Sequence, residues 1–284
     1  MKRVLFLAGF AGALVGCGSG LPTPPALPTF HYGAPQAADS EQGYTASTGV
    51  TTLRSASGTS GTSANPSAAP ALADQLAANL PQPALRASLP SAEAALKSLP
   101  VPGGVAAGGL FRSSALVVGN PDCVHQGNTS GGSSYSITYS NCSYGGAEGG
   151  TSFNWTLNGT ISVTSTSASW DIQATFDLSA DGVSGKGQMH WTGQLSWTDT
   201  TINGNGKSEL AARVEGQGEK VDIGITSGWT AALQLDATHC VSGGTLEVGR
   251  AMEGSASNGQ HVSGAHGWKF TWTGCDTYQV AEGT

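Results

Sequence analysis

The thiols and imidazoles of this chain are few enough to be weighed singly. Its cysteines are Cys17, Cys123, Cys142, Cys240 and Cys275, and its histidines are His31, His125, His190, His239, His261 and His266. Zinc chemistry needs thiolates or imidazoles at close spacing, and Asp122-Cys123-Val124-His125 and His239-Cys240 are the nearest approaches. Neither has the C-x-x-C spacing of structural zinc sites. Nucleophilic or general-base chemistry needs a histidine beside a carboxylate, for which His190, His261 and His266 are the candidates. H-E-x-x-H, G-x-S-x-G and EF-hand patterns do not occur. Gly206-Lys207-Ser208 resembles the end of a phosphate loop, but Thr201 stands where the first glycine is required. Asp177 and Asp181 near Gly182 suit an aspartate-bearing turn better than a calcium loop. The expectation is a protein without a catalytic site, metal or cofactor.

Cys17 stands apart. It follows Met1-Lys2-Arg3 and the run VLFLAGFAGALVG, a basic start and an apolar segment of signal-peptide length, too short to span a bilayer. Leu14-Val15-Gly16-Cys17 closes that run and resembles the lipobox of bacterial lipoproteins. The resemblance implies cleavage after residue 16, a diacylglycerol thioether on Cys17 and an acylated (palmitate-type) amino terminus. More than one acyl chain makes a lasting anchor, because a single chain binds a membrane only marginally. Gly18 stands where an aspartate commonly retains such lipoproteins at the inner membrane, so the resemblance implies the outer membrane of a cell envelope. An ordinary secretory signal with an incidental cysteine is the alternative.

Export leaves four cysteines in an oxidising compartment, which favours two disulfides over free thiolates. Cys123–Cys142 and Cys240–Cys275 are the expected pairs, each nearest in sequence and each bracketing a hairpin-like stretch. Removing residues 1–16 takes two bases, Lys2 and Arg3, from a net charge of −7 and no acid, leaving −9. That acidity argues against nucleic acid or anionic lipid as a partner. Charged residues make up 11% of the chain, against about 25% in ordinary soluble domains. Polarity comes instead from Ser, Thr, Asn, Gln and Gly, which suits the faces and turns of an exported β protein.

The elements that would position these residues fall into four segments: the signal at 1–16, the lipidated end with a linker at 17–69, a helical and proline-rich segment at 70–104, and a β domain at 105–284. Stretches such as LPTPPALPTF and SASGTSGTSANPSAAP bury too little apolar surface to offset chain ordering, so 17–69 is expected to be disordered. A flexible 17–104 would hold the domain roughly 50 Å from the membrane. Leu72, Leu76 and Leu80 recur at helical spacing, and Ser91, Glu93, Leu96 and Leu99 suggest a second short helix.

Beyond residue 105 the apolar period is two. Tyr135, Ile137 and Tyr139 alternate with small polar residues, as do Phe153, Trp155 and Leu157, then Ile161 and Val163 after Asn158-Gly159. Asn-Gly between alternating runs reads as a hairpin turn. Trp170, Ile172, Ala174, Phe176 and Leu178 form the next stripe, then Met189, Trp191, Gly193, Leu195 and Trp197. Short runs follow at 210–214, 221–225, 229–235, 246–248 and 268–272, with DGVSGKG, INGNG, EGQGEK, SGG and SNGQ as candidate turns. The reading is all-β: an antiparallel meander of about ten strands curled into a barrel or a two-layer sandwich. A transmembrane barrel is disfavoured by strands that look short and glycine-interrupted.

Trp155, Trp170, Trp191, Trp197, Trp229, Trp268 and Trp272 share parity with Leu, Ile and Phe, as core residues do. Parity does not separate a filled core from a cavity holding an apolar ligand, and an exposed platform for sugar rings is a further functional reading. The expected role is a membrane-anchored, non-enzymatic binding or structural domain. A carrier of an apolar ligand such as a lipid is the alternative, and a hydrolase with an unrecognised site comes third. The ligand is open between lipid, glycan and an envelope protein.

Overall fold

A computed structural model of the chain describes residues 20–59, 65–66, 69–81, 121–128, 134–148, 151–180, 182–216, 218–275 and 277–284. The signal segment, Cys17, the Ser91–Glu93 helix and the start of the β domain lie outside the described residues. Among the described residues ten strands form one sheet: β1 (Val124–Asn128), β2 (Tyr135–Glu148), β3 (Thr151–Val163), β4 (Ser167–Ala180), β5 (Val183–Trp197), β6 (Thr201–Gly216), β7 (Glu219–Leu235), β8 (Val241–Ala256), β9 (His261–Gly274) and β10 (Thr277–Gly283). Each pairs antiparallel with its sequence neighbours in the order β1 to β10, and β1 does not pair with β10. The result is an open, curled meander, and one apolar cluster runs along its concave face, from Tyr139 on β2 to Val280 on β10.

The strands are longer than the sequence suggested. Asn158-Gly159 is no turn: β3 runs straight through it. Gly159 adopts φ 132°, and a side chain there would strike the Asp171 carbonyl on β4. Opposite, β2 bulges between Tyr139 and Cys142, and the Asn141 amide donates to Asn158 Oδ1 at 2.8 Å. The pair therefore serves a bulge, where a local kink needs both a permissive backbone and a spare acceptor. Residues 221–225 and 229–235 merge into β7, and INGNG and SGG lie inside β6 and β8. Of the candidate turns, EGQGEK and SNGQ do connect strands, and of DGVSGKG the stretch from Val183 on lies inside β5. Strands of 13 to 17 residues from β3 to β8 remove the length argument against a membrane barrel. The convex face supplies a better one, since it carries Lys186, Arg213 and Asp222 where lipid would lie.

The largest correction concerns residues 20–59, which are ordered. Residues 20–30 cross the convex face as a strap from β6 to β10. Gly20 meets Arg213, Pro24 lies on Gly224, the Thr226 hydroxyl donates to the Pro25 carbonyl at 2.6 Å, and Leu27 lies on Gly228. Phe30 then covers Gly249, Gly267 and Gly283. Gly228, Gly249, Gly267 and Gly283 are successive cross-strand partners, so four strands present one glycine row as a trough. Composition predicted disorder because the strap has no partner within its own sequence. Its apolar residues find one in a trough built more than 190 residues away.

Past the strap, the Gly33 and Gln36 amides donate to β10 carbonyls at 2.9 and 2.8 Å, closing that edge of the sheet. The chain then turns onto the concave face as α1 (Ser40–Ser57). Asp39 and Gln42 make a complete capping box, and Gly58 ends the helix in the left-handed region at φ 73°. Gln42 also donates to Glu282 on β10 at 2.9 Å. Helix α2 (Leu72–Ala77) follows, with Leu72 and Leu76 fully buried and Leu80 nearly so. Both helices pack under the middle strands, α1 on β5, β6 and β8 and α2 on β6, β7 and β8. Among the described residues, no helix is long and apolar enough to cross a membrane.

Candidate functional site

Register places one polar row across the apolar concave face. Trp191 on β5 pairs with Ser208 on β6, Ser208 with Ser227 on β7, Ser227 with Arg250 on β8, and Arg250 with His266 on β9. The inward neighbours two residues away on one side are Gly206, Trp229, Val248 and Trp268, and on the other Leu210, Ile225 and Met252. Ser208 and Ser227 are buried.

Helix α2 closes over this row through its polar groups. The Trp191 indole N–H donates to the Asp74 carboxylate at 2.9 Å, and the Ser208 hydroxyl bonds it too. Arg250 Nη1 donates to the Ala77 carbonyl at 3.3 Å, at the carboxyl end of the helix where a cation is favoured. Burial pushes the Asp74 carboxyl up from its usual range, and the bonds from Trp191 and Ser208 with the Arg250 charge only partly offset this. Burial likewise lowers the Arg250 guanidinium, against the pull of Asp74. Both ionised forms are thus costly in this place, as expected of charges withdrawn from water.

Several nitrogens on this side have no hydrogen-bond partner among the described residues: Arg250 Nε, His266 Nε2, Arg54 Nε and the indole nitrogens of Trp170, Trp229 and Trp268. An unsatisfied buried donor costs about 1–3 kcal/mol, so a cluster of them marks a place short of acceptors.

All seven tryptophans face this side by register. Six are buried, and Trp155 is half-buried, its ring 5.0 Å from that of Phe176. Trp170 and Trp229 stack with centroids 6.4 Å apart. They meet across Gly193 and Gly206, which stand between them in register and leave room for the rings. The tryptophans are core residues in this state, and none forms an exposed platform.

The cysteines pair as Cys123–Cys142 and Cys240–Cys275. This removes the zinc alternative: Asp236, Cys240 and Cys275 come within 4.8 Å of one another, but both sulfurs are spent in the bond. Asp236 instead accepts from the Thr238 hydroxyl, which with the Cys240 and Thr238 amides holds its carboxyl below the usual range. Asp177 faces Lys186 across the β4–β5 pair, a poor setting for calcium, and Asp181 lies outside the described residues.

His190 meets Asp171 at 2.8 Å and Glu209 at 3.9 Å, and His261 meets Glu253 at 3.9 Å. The His190 cluster stands on the convex face. Cavities of about 320 and 520 Å³ on that face, lined around Arg213 and around Gln194, do not include it. His266 lies inside β9 and faces inward.

Asp74, Ser227 and Arg250 were not singled out by sequence reasoning. Arg250 left a legible signal: it shares parity with Leu246, Val248 and Met252, so a strand with that stripe inward must bury a cation. Ser208 sits in the rejected Gly-Lys-Ser run, where its parity with Ile202 and Leu210 carried the information. Comparison with protein-family models, curated proteins and solved structures gave no match.

Proposed function

We propose that this chain is a non-enzymatic lipoprotein of a bacterial cell envelope, anchored through Cys17, whose curled sheet binds an apolar ligand on its concave face. The observation that carries the binding role is the make-up of that face. Seven tryptophans line it, and among the described residues what covers it is not a second sheet but the chain's own helices, the second only six residues long. Three of the indole N–H groups lie buried without an acceptor. A sheet that needed only a filled core has no use for stranded donors, whereas a ligand-binding face can satisfy them when loaded. The competing role is a purely structural domain, favoured by the full burial of Leu53, Leu72 and Leu76 against the same face.

The lipobox resemblance supports the anchor, and the ordered strap changes what the anchor would do. Only three peptide units separate Cys17 from Gly20, a reach of about 11 Å. The acyl chains would therefore hold the sheet against the bilayer, and the stalk of roughly 50 Å expected from composition is absent.

One experiment addresses both parts. The mature protein is extracted in mild detergent and weighed by native and by denaturing mass spectrometry. The denatured mass is expected to exceed that of residues 17–284 by covalent acyl groups. The native mass is expected to exceed the denatured one by an extractable lipid-like molecule. A denatured mass without acyl groups removes the anchor, and equal native and denatured masses favour the structural role.

A further inference from the structure

We infer that the ligand carries an anionic head group on a long alkyl chain, and that the Asp74 carboxylate of α2 holds that head group's place against Arg250. This rests on the proposed binding role and adds the chemistry of what is bound.

The polar row offers more than Asp74 uses. Asp74 takes hydrogen bonds from Trp191 and Ser208, while Arg250 Nε and His266 Nε2 lie buried without partners. A carboxylate has about four acceptor sites and suits a guanidinium in particular. A free carboxylate, unlike one fixed to a helix, can settle toward β8 and β9 where those nitrogens are. On either side of the row the face is apolar, with Trp229 and Trp268 on one flank and Ile225 and Met252 on the other. A head group on the row and an alkyl chain along a flank match that pattern, polar in one band and apolar beside it.

Helix α2 is suited to leave. At six residues it is shorter than isolated helices that persist in water, and its first turn lacks a side-chain cap. Among the described residues its polar hold on the sheet is the Asp74 contacts and the Arg250 bond to Ala77. Exchange also balances charge: Asp74 returns to water as the incoming acid takes its position, so Arg250 is never left buried beside no anion, the costly outcome. Because α2 competes with ligand, the apparent affinity is the intrinsic one multiplied by the fraction of molecules in which α2 has withdrawn.

The test uses the full mature chain with Cys17→Ala to avoid acylation, stripped of bound lipid, and two probes of equal length, dodecanoate and dodecanol. Binding is followed by tryptophan emission and by calorimetry. Dodecanoate is expected to bind at least tenfold more tightly than dodecanol. Arg250→Gln is expected to abolish that preference, bringing the two probes to within twofold of each other. Asp74→Asn is expected to tighten dodecanoate binding severalfold, since the internal competitor loses its charge. Ser208→Ala, a smaller change expected to narrow the preference for dodecanoate over dodecanol, serves if Arg250→Gln does not fold. Equal binding of the two probes, insensitive to Arg250 or Ser208, overturns the anionic head group and leaves the binding role standing. Binding of neither probe, by the parent chain or by Asp74→Asn, overturns both.

Discussion

Asp74 and Asp222 each face an arginine, yet their carboxyls shift in opposite directions. Asp222 accepts from Arg213 Nε at 2.6 Å and from Nη2 at 3.1 Å near the convex surface, and those bonds hold it below the usual range. Asp74 lies under the concave core, where burial outweighs its bonds and raises it. By linkage, the Asp222 contribution to stability is present above the ordinary carboxylate value and is lost as pH falls through its depressed value. The Asp74 contribution runs the other way: it is present below the ordinary value and is lost as pH rises through the raised one. Urea midpoints of the parent chain are therefore expected to decline on both the acid and the neutral side of an optimum. Asp222→Asn should lessen the acid decline, to which Asp236 also contributes, and leave the neutral side as it is, while Asp74→Asn should remove the neutral-side decline alone. Matching pH profiles for the two variants would sink this account. The same residues show why the site was half legible: the inward parity of Arg250 and Ser208 was readable, but their partner Asp74 is brought by a helix more than 100 residues away.

Phe30 shows what a single strap residue does for an element with no local reason to fold. It lies across Gly249, Gly267 and Gly283 on three successive strands, beside a β10 edge already paired with residues 31–36. Phe30→Ala should cost about 2 kcal/mol from lost burial. The loss should appear as faster amide exchange at Gly33, Gln36 and Val280, with the β5–β6 amides unaffected. Gly267→Val tests the same contact from the sheet side, since even a methyl group there would stand 2.9 Å from the Phe30 ring. Exchange that stays slow at Gln36 in both variants would mean that the edge pairing holds the strap by itself. The meander was legible because its alternation is local: each stripe declares an inward face without reference to other strands. The strand ends were not, because Asn158-Gly159 and INGNG carry turn chemistry that cross-strand pairing overrides. Helix α1 was missed for a related reason. Its threonines and glycines are poor helix formers, so the Asp39/Gln42 capping box and the buried series Gln42, Thr45, Ala46, Gly49, Leu53, Ala56 were its sole sequence marks.

At the scale of the whole molecule, the strap fixes which end of the sheet would meet a membrane. The hairpin ends at 181–182, 217–218 and 257–260 form one rim, and those at 164–166, 198–200 and 236–240 form the other. Strands of this length set the rims roughly 45 Å apart. Gly20 touches Arg213, four residues from the 217–218 turn, so an acylated Cys17 would tie the first rim to the bilayer. The charges there balance along the register Asp177, Lys186, Arg213, Asp222, two bases flanked by two acids, which gives the rim little net attraction to anionic lipid. Orientation should then come from the anchor and not from the surface field. A fluorophore on Glu215→Cys is expected to be quenched strongly by a headgroup-labelled lipid in reconstituted vesicles, and one on Asp199→Cys weakly. The contrast should persist from low to high salt and with neutral or anionic lipid. A flexible insert of about 20 residues between Cys17 and Gly20 should erase the contrast while membrane binding is retained, because it restores the stalk that the ordered strap removes. Weak quenching at both positions without the insert would show that the strap detaches from the sheet at the membrane, and the short tether would then have to be abandoned.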